Sequence, residues 1–245
     1  MRINAQGLHY KTLNEKIHTA IDSGDKNIIL DNINGQRYIG NGLVDREIRI
    51  TINGTPGNDL AAFMNRPTLI VNANAQDGIG NTMNDGKIMV HGNAGDIVGY
   101  SMRGGEIYIK GNAGYRVGIH MKSYHNSHPA IIIGGIVGDF LGEYMAGGRI
   151  IVLGLDKKSD ESIVGNFCGT GMHGGTIYLH GDVADYQLGK EVKKTGLTNE
   201  DYKILLEYLN EYCTSFSINP KEIKKTRFVK LIPYSHRPYG KLYAY

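Results

Sequence analysis

A repeat of 19 residues constrains the fold of this 245-residue chain more than any other feature of its sequence. Columns of like residues recur at that step, and apolar, glycine and polar columns all keep the same phase. The clearest columns are Met64, Met83, Met102 and Met121; Ile50, Leu69, Ile88 and Ile107; and Asn74, Asn93 and Asn112. Because the columns stay in phase, we expect each unit to adopt one local structure and to stack on the unit before it.

The unit favours strands over helices. Each repeat holds one short strand rich in β-branched residues and then a glycine-rich stretch, which leaves no room for an ordinary helix. A step of 19 residues is not a multiple of six, which argues against a left-handed helix of hexapeptide repeats. We therefore predict an all-β fold: a right-handed parallel β-helix, a single-stranded solenoid of about eight turns of about 19 residues, with helices flanking both ends.

The repeats divide the chain into three parts. Later rungs continue at residues 131–133, 150–152 and 177–179 with insertions between them, and residues 38–43 look like a degenerate first rung. Residues 27–190 are thus predicted to form the β-helix. Residues 1–26 are predicted to be a capping segment with a helix that opens at a capping-box pattern from Thr12. Residues 191–245 are predicted to hold a helix opening at Thr198 and a basic tail rich in tyrosine.

Glycine accounts for 34 residues, about twice the usual share of roughly 7%. We predict that the column glycines allow positive φ or a close approach of stacked backbones, with phosphate binding as the alternative. These glycines are Gly80, Gly92, Gly95, Gly99, Gly111, Gly114, Gly118, Gly135, Gly138 and Gly142. The sequence G-x-G-x-x-G at residues 169–174 precedes a strand instead of following one, which argues against a dinucleotide site. The asparagine column predicts a ladder of amide hydrogen bonds.

A second apolar column alternates with the inward one and should therefore point outward. It consists of Ile70, Met89, Tyr108, Ile132, Ile151 and Tyr178. A sheet facing water should not carry such an apolar stripe over its whole length, so something is expected to cover it. The C-terminal helix and tail are one cover, a partner protein is another, and the two are compatible; self-association through the stripe stays open as well.

The sequence offers few groups for chemistry. His120, His125 and His128 lie between two rungs and are candidate metal ligands, but their spacing matches no established pattern, so a polar surface loop is preferred. Cys168 is expected to be a small buried side chain and not a nucleophile. A carboxylate pair at Asp77 and Asp96 is thin evidence for a carbohydrate-active β-helix. We assign no catalytic residue, no metal and no cofactor to this chain.

Composition excludes further classes. Two cysteines cannot build a disulfide framework or a four-cysteine cluster, and no apolar run approaches the roughly 20 residues of a membrane span. We expect a cytoplasmic protein without membrane contact. The net charge is +3, with +6 in residues 215–245 and −3 in the remainder. The basic tail is expected to fold back on the acidic body, with an acidic partner or nucleic acid as alternatives.

Residues 74–80, 92–99, 102–105 and 138–148 resemble the G-x-x-G-x-x-x-G domain, the C-terminal β-helix of the glutamate synthase large subunit. The segment 228–240 resembles the tail of stand-alone archaeal and bacterial versions. One of the subunits of formylmethanofuran dehydrogenase is built from a similar repeat. The resemblance implies a scaffold without catalytic residues. It also implies partner chains, an amidotransferase (glutaminase) and a synthase, that carry the FMN and the iron–sulfur cluster.

Overall fold

The structure is a computed structural model that describes residues 1–125, 127–155, 157–223 and 228–234. Of the basic tail, residues 224–227 and 235–245 lie outside the described residues. The strands are β1 Arg2–Asn4, β2 Asn27–Asn34, β3 Arg49–Thr55, β4 Asn65–Val71, β5 Asp85–Val90, β6 Glu106–Ile109, β7 Ala130–Ile133, β8 Ala146–Val152, β9 Gly174–His180, β10 Val192–Thr195 and β11 Phe228–Pro233. The α-helices are α1 Tyr10–Asp22 and α2 Asn199–Phe216, and short 3₁₀ helices span Asp185–Gln187 and Pro220–Glu222.

The strands form one sheet in the order β1 to β9 and then β11 and β10. Strands β1 to β9 pair in parallel, each with the next one along the chain. The predicted columns are the observed register, since Ile50 pairs with Leu69 and Ile88 with Ile107. Backbone hydrogen bonds continue from turn to turn outside the strands, as from Gly99 N to Ile79 O at 2.8 Å. The predicted parallel β-solenoid is therefore confirmed.

The predicted number of turns is wrong. The stack has about six full turns instead of eight, each closing on a fully buried methionine. These are Met64, Met83, Met102, Met121, Met145 and Met172. The difference arises at the ends: residues 38–43 form a turn and not a strand, and the chain reverses direction beyond β9. The core is the inside of this coil, where the isoleucine, leucine and methionine columns are buried together.

Both ends of the stack are covered. Helix α1 buries Leu13, Ile17 and Ala20 against the first turns. It begins at Tyr10 after His9 with no side-chain cap, so the predicted start at Thr12 is wrong. At the other end β11 runs antiparallel to β9, and β10 runs antiparallel to β11. The exposed lysines 193 and 194 on β10 disfavour the addition of a further strand.

Helix α2 starts where the sequence predicts. The Thr198 side chain accepts a hydrogen bond from the backbone N–H of Asp201, and the Asp201 carboxylate accepts one from the backbone N–H of Thr198. This capping box satisfies orphan donors of the first turn and fixes the direction of the helix. From there α2 runs along the outer face of the sheet and forms a second apolar cluster with it, separate from the solenoid core.

Candidate functional surface

The outward apolar stripe is covered by the chain itself over its C-terminal part. Helix α2 packs Leu205, Leu209, Tyr212 and Phe216 against it, and the stripe residues under the helix are at most 2% exposed. These are Tyr108, Ile132, Ile151 and Tyr178. Ile70 and Met89, nearer the N-terminal end, are half-buried. The four covered residues are therefore closed to a partner while α2 is in place.

Polar contacts at both ends of α2 hold the helix on the sheet. Near its C-terminal end, the Tyr212 hydroxyl donates to the carbonyl of Lys110 at 2.9 Å. Lys87 Nζ donates to Glu211 at 2.6 Å and lies 3.4 Å from Glu106 Oε2. The Tyr108 hydroxyl donates to that same Glu106 carboxylate at 2.9 Å, and burial, together with this carboxylate, raises the pKa of Tyr108 far above its usual value.

At the N-terminal end of α2, a buried carboxylate links three elements. Asp201 accepts hydrogen bonds from the Tyr178 hydroxyl of β9 at 2.7 Å and from Lys230 Nζ of β11 at 2.9 Å. Thr198 N–H adds a third at 2.7 Å. Burial alone would raise the pKa of Asp201, but these donors outweigh it and hold that pKa well below its usual range. The network is structural, because each of its groups is engaged within the chain.

Side-chain oxygens of the turns bind the backbone of the following turn. Asn74 Oδ1 accepts from the backbone N–H of Asn93 at 2.8 Å, and Asp77 Oδ1 accepts from that of Asp96 at 2.9 Å. The pattern repeats on the next turn, where Asn93 binds Asn112 N at 2.8 Å. The predicted ladder thus exists, but the donors are backbone N–H groups and not neighbouring side-chain amides. Asp77 and Asp96 serve this ladder, which gives the carbohydrate-active hypothesis no support.

The glycines have three distinct roles in this arrangement. A Cβ on Gly92 would lie 2.3 Å from Asn74 Oδ1, and one on Gly95 would lie 2.1 Å from Asp77 Oδ1, so both leave room for the reaching oxygen. Gly111, Gly114 and Gly135 meet the same kind of oxygen at 1.9–2.1 Å, whereas Gly138 meets the Tyr115 ring at 3.0 Å. Gly80, Gly99, Gly118 and Gly142 combine φ of +66° to +71° with an isoleucine tip 2.4–2.8 Å from the missing Cβ.

The histidine and cysteine candidates are placed in separate surroundings. His120 stacks on Tyr144, His125 lies against Tyr124, and His128 Nδ1 shares a hydrogen bond of 3.1 Å with the Ser123 hydroxyl. The described part of the chain contains no group of three or more His, Cys, Asp or Glu side chains that could hold a metal ion. Cys168 is fully buried, which raises the pKa of its thiol to about 12. Neither feature supplies a catalytic centre.

A different surface stands out, on a corner of the solenoid away from the sheet. We call it the aromatic edge, and it comprises Tyr100, Arg116, His120, Phe140, Glu143, Tyr144 and Phe167. Phe140 and Phe167 stack at 4.9 Å between ring centroids, and His120 and Tyr144 stack at 5.3 Å. The Arg116 guanidinium lies 5.1 Å from the centre of the Phe140 ring. Arg116 Nε also donates to Glu143 at 3.0 Å. Because Arg116 lies against Phe140 and Glu143 is next to Tyr144 in the chain, this bond joins the two stacked ring pairs into one patch.

The backbone of the aromatic edge is left-handed at five positions, as it is at the same corner of the other turns. Arg116, His120, Phe140, Tyr144 and Phe167 all have φ between +52° and +64°. This left-handed conformation costs an L-residue about 1–2 kcal/mol. Sequence reasoning missed the edge because insertions break the 19-residue step between its members. The signal that could have revealed it was the appearance of bulky residues in columns that elsewhere hold Gly42, Gly78 and Gly171.

No helix among the described residues has the length and apolarity needed to cross a membrane. A relative from Methanocaldococcus jannaschii, an uncharacterized protein, is 45% identical over 250 residues, which cover 99% of this chain and 95% of the relative. Among solved structures, a chain of the formyltransferase/hydrolase complex of Methylorubrum extorquens, determined with methylofuran, superposes with a TM-score of 0.61. The match covers 86% of this chain and 83% of that one at 21% identity, which shows a shared fold.

The model of the GXGXG motif family matches residues 11–234, which include the whole solenoid and helix α2. The matched region contains the glycines whose roles are described above. Because the match spans most of the chain, the protein belongs to the GXGXG motif family, as its resemblance to the C-terminal domain of the glutamate synthase large subunit predicts.

Proposed function

We propose that this chain is a non-catalytic scaffold subunit of a glutamate synthase-type complex in the cytoplasm. In such a complex, glutamine and 2-oxoglutarate give two glutamates on partner chains that carry the FMN and the iron–sulfur cluster. One observation carries the proposal: the polar side chains of the turns are used to join one turn to the next. Asn74, Asp77, Asn93 and Asp96 each give an oxygen to the backbone of the following turn.

The solenoid suits this role physically. Turns stacked at about 4.8 Å make a rod of about 30 Å for six turns. Every turn is tied to its neighbours by backbone and side-chain hydrogen bonds, and a dry core fills its interior. Such a rod can hold a glutaminase and a flavin-binding chain at a fixed separation, so that ammonia released by one reaches the other without escaping.

Purification with partner chains tests the proposal. The tagged chain is co-expressed with the amidotransferase and flavoprotein chains of its own genome, and glutamine-dependent glutamate formation is measured. We expect the three chains to co-elute, the assembled complex to be active and the isolated chain to be inactive. Activity of the isolated chain, or elution of the chain free of both partners, would contradict the proposal.

A second candidate keeps the scaffold and changes the enzyme. The fold shared with a chain of the formyltransferase/hydrolase complex favours a role in a complex of the formylmethanofuran dehydrogenase type. The same co-expression with molybdopterin- or tungstopterin-binding chains tests it. Co-elution with those chains and not with the amidotransferase would select this second candidate.

A further inference from the structure

The aromatic edge gathers exposed aromatic side chains on one corner of the solenoid. Tyr144 and Phe167 are 42% and 52% exposed, so their rings gain little from the interior of their own chain. Both have positive φ, as do the residues at the same corner of the other turns, so this conformation belongs to the corner of the solenoid and not to the aromatic side chains. Exposed aromatic residues gathered into one patch indicate a contact outside the chain.

The geometry of the rings selects the kind of contact. The faces of His120 and Tyr144 cover each other, and Tyr144 also lies against Gly171, whose missing Cβ would be 2.3 Å from the ring. Phe140 is enclosed between Arg116 and Phe167. The ring faces are thus largely occupied within the edge, whereas nucleic-acid bases and sugars stack on free ring faces. The exposed ring edges suit packing against another protein surface.

The charges of the edge narrow the partner further. Arg116 and Glu143 pair with each other, so the edge offers no unpaired formal charge when histidine is neutral. The partner surface should therefore be uncharged as well. The edge is also periodic, because its side chains stand on successive turns about 4.8 Å apart. A second copy of this chain offers an uncharged aromatic surface with that same period.

We propose that the aromatic edge is the interface of a homodimer, in which two solenoids lie side by side about a two-fold axis. Seven partly exposed side chains at about 70 Å² each contribute about 500 Å² per copy, given that an aromatic side chain covers 150–250 Å². The total of about 1,000 Å² is at the lower limit for a specific interface, which fits a dimer of micromolar affinity. This inference goes beyond the scaffold role and does not depend on the identity of the enzyme.

Sedimentation equilibrium of the isolated full chain from 1 to 100 µM tests the proposal. We expect a reversible dimer, and the double variant Tyr144→Asn/Phe167→Asn should raise its dissociation constant at least 100-fold. Asparagine accepts positive φ, so the variant keeps the backbone while it removes the two rings together with their stacks on His120 and Phe140. The two-fold axis doubles the effect, since each substitution removes the contact from both copies.

A matched control removes two exposed aromatic residues elsewhere. Tyr186 lies on the short 3₁₀ helix after β9 and is 80% exposed, and Tyr202 lies on α2 and is 49% exposed. Tyr186→Asn/Tyr202→Asn should leave the dissociation constant within threefold of the parent. Circular dichroism melting of each variant at 1 µM shows that the monomer is folded. A parent chain that stays monomeric at 100 µM, or a dimer weakened equally by both pairs, would overturn the proposal.

Discussion

The outward-facing column of the sheet is buried in one half of the molecule and partly exposed in the other. On β6 to β9 the outward column is large and apolar, from Tyr108 to Tyr178, and α2 buries it. On β3 and β4 the same column holds Thr51 and Ile70, which α2 does not reach. The uncovered half carries a polar ladder beside that column, in which Asn72 Nδ2 donates to Asn53 and Asn53 Nδ2 donates to Asp31, both at 2.8 Å.

The comparison shows that the helix sets the extent of the buried part of the apolar stripe. An 18-residue helix is about 27 Å long, enough to span roughly five strands at about 4.8 Å. Within that reach the outer face resembles a second core, and outside it the face resembles an ordinary solvated sheet. Four sets of substitutions test this contrast.

The largest effect is expected from the covered half. Tyr212→Ala removes a fully buried ring of α2 and should lower the free energy of unfolding by about 4 kcal/mol. Urea unfolding followed by circular dichroism measures it. Tyr212→Phe, which keeps the ring and loses the hydrogen bond to Lys110, should cost only about 1 kcal/mol. Equal losses in the two variants would mean that the ring does not hold the helix.

Substitutions inside the solenoid should cost the same free energy of unfolding in the covered and the uncovered half. Gly80→Ala and Gly142→Ala each place a Cβ at positive φ, 2.5 and 2.8 Å from the tips of Ile107 and Ile177. We expect each to cost about 3 kcal/mol, from backbone strain and overpacking together. Urea midpoints at constant m-value check this. A cost confined to one of the two positions would show that the covered and uncovered halves also differ inside.

The attachment of α2 should depend on pH through Asp201. Asp201→Asn should cost about 2 kcal/mol at pH 7, because Lys230 and Tyr178 lose a charged acceptor. The pKa of Asp201 is lowered in the folded protein, so its contribution is present above the unfolded value of about 3.9 and is lost as pH falls below it. The gap between parent and variant in urea unfolding should therefore narrow from pH 7 to pH 3. A gap that widens in acid would contradict this assignment.

The smallest effect belongs to the uncovered half. Ile70 is half-buried and lies outside the reach of α2. Ile70→Thr introduces threonine, the residue that occupies the paired position one turn earlier at Thr51. We expect a change within about 0.5 kcal/mol of the parent in thermal and urea unfolding. A cost of 2 kcal/mol or more would show that some part of the chain covers this half too.

Periodicity made the repeat units and their register predictable. Side chains such as Ile88 and Ile107 share one environment on every turn, so the columns in the sequence are the pairs in the sheet. Local capping chemistry also located the start of α2 at Thr198, where side chain and backbone satisfy each other within four residues.

Other features depend on contacts that the local sequence does not reveal. Helix α1 starts before the capping-box pattern because it is held by packing of Leu13 and Ile17 and by a hydrogen bond from Asn14 to the carbonyl of Arg37. The repeat pattern does not reveal strand β2 and instead indicates a rung at residues 38–43. Both β2 and residues 38–43 place apolar residues inward, so the pattern alone does not show which of the two is the strand. The aromatic edge is hidden because insertions of five and eight residues separate members that the fold brings together on successive turns, as between Arg116, Phe140 and Phe167.

The oxygens that reach from one turn to the next have a consequence for unfolding. Each internal turn donates backbone N–H groups to side-chain oxygens of the preceding turn and supplies such oxygens to the following turn, so no internal turn is complete by itself. A fragment ending within the rod would leave carbonyl oxygens without donors on one side and amides without acceptors on the other. The rod should therefore melt in a single step, and truncation of the chain within the rod should destabilise the turns that remain.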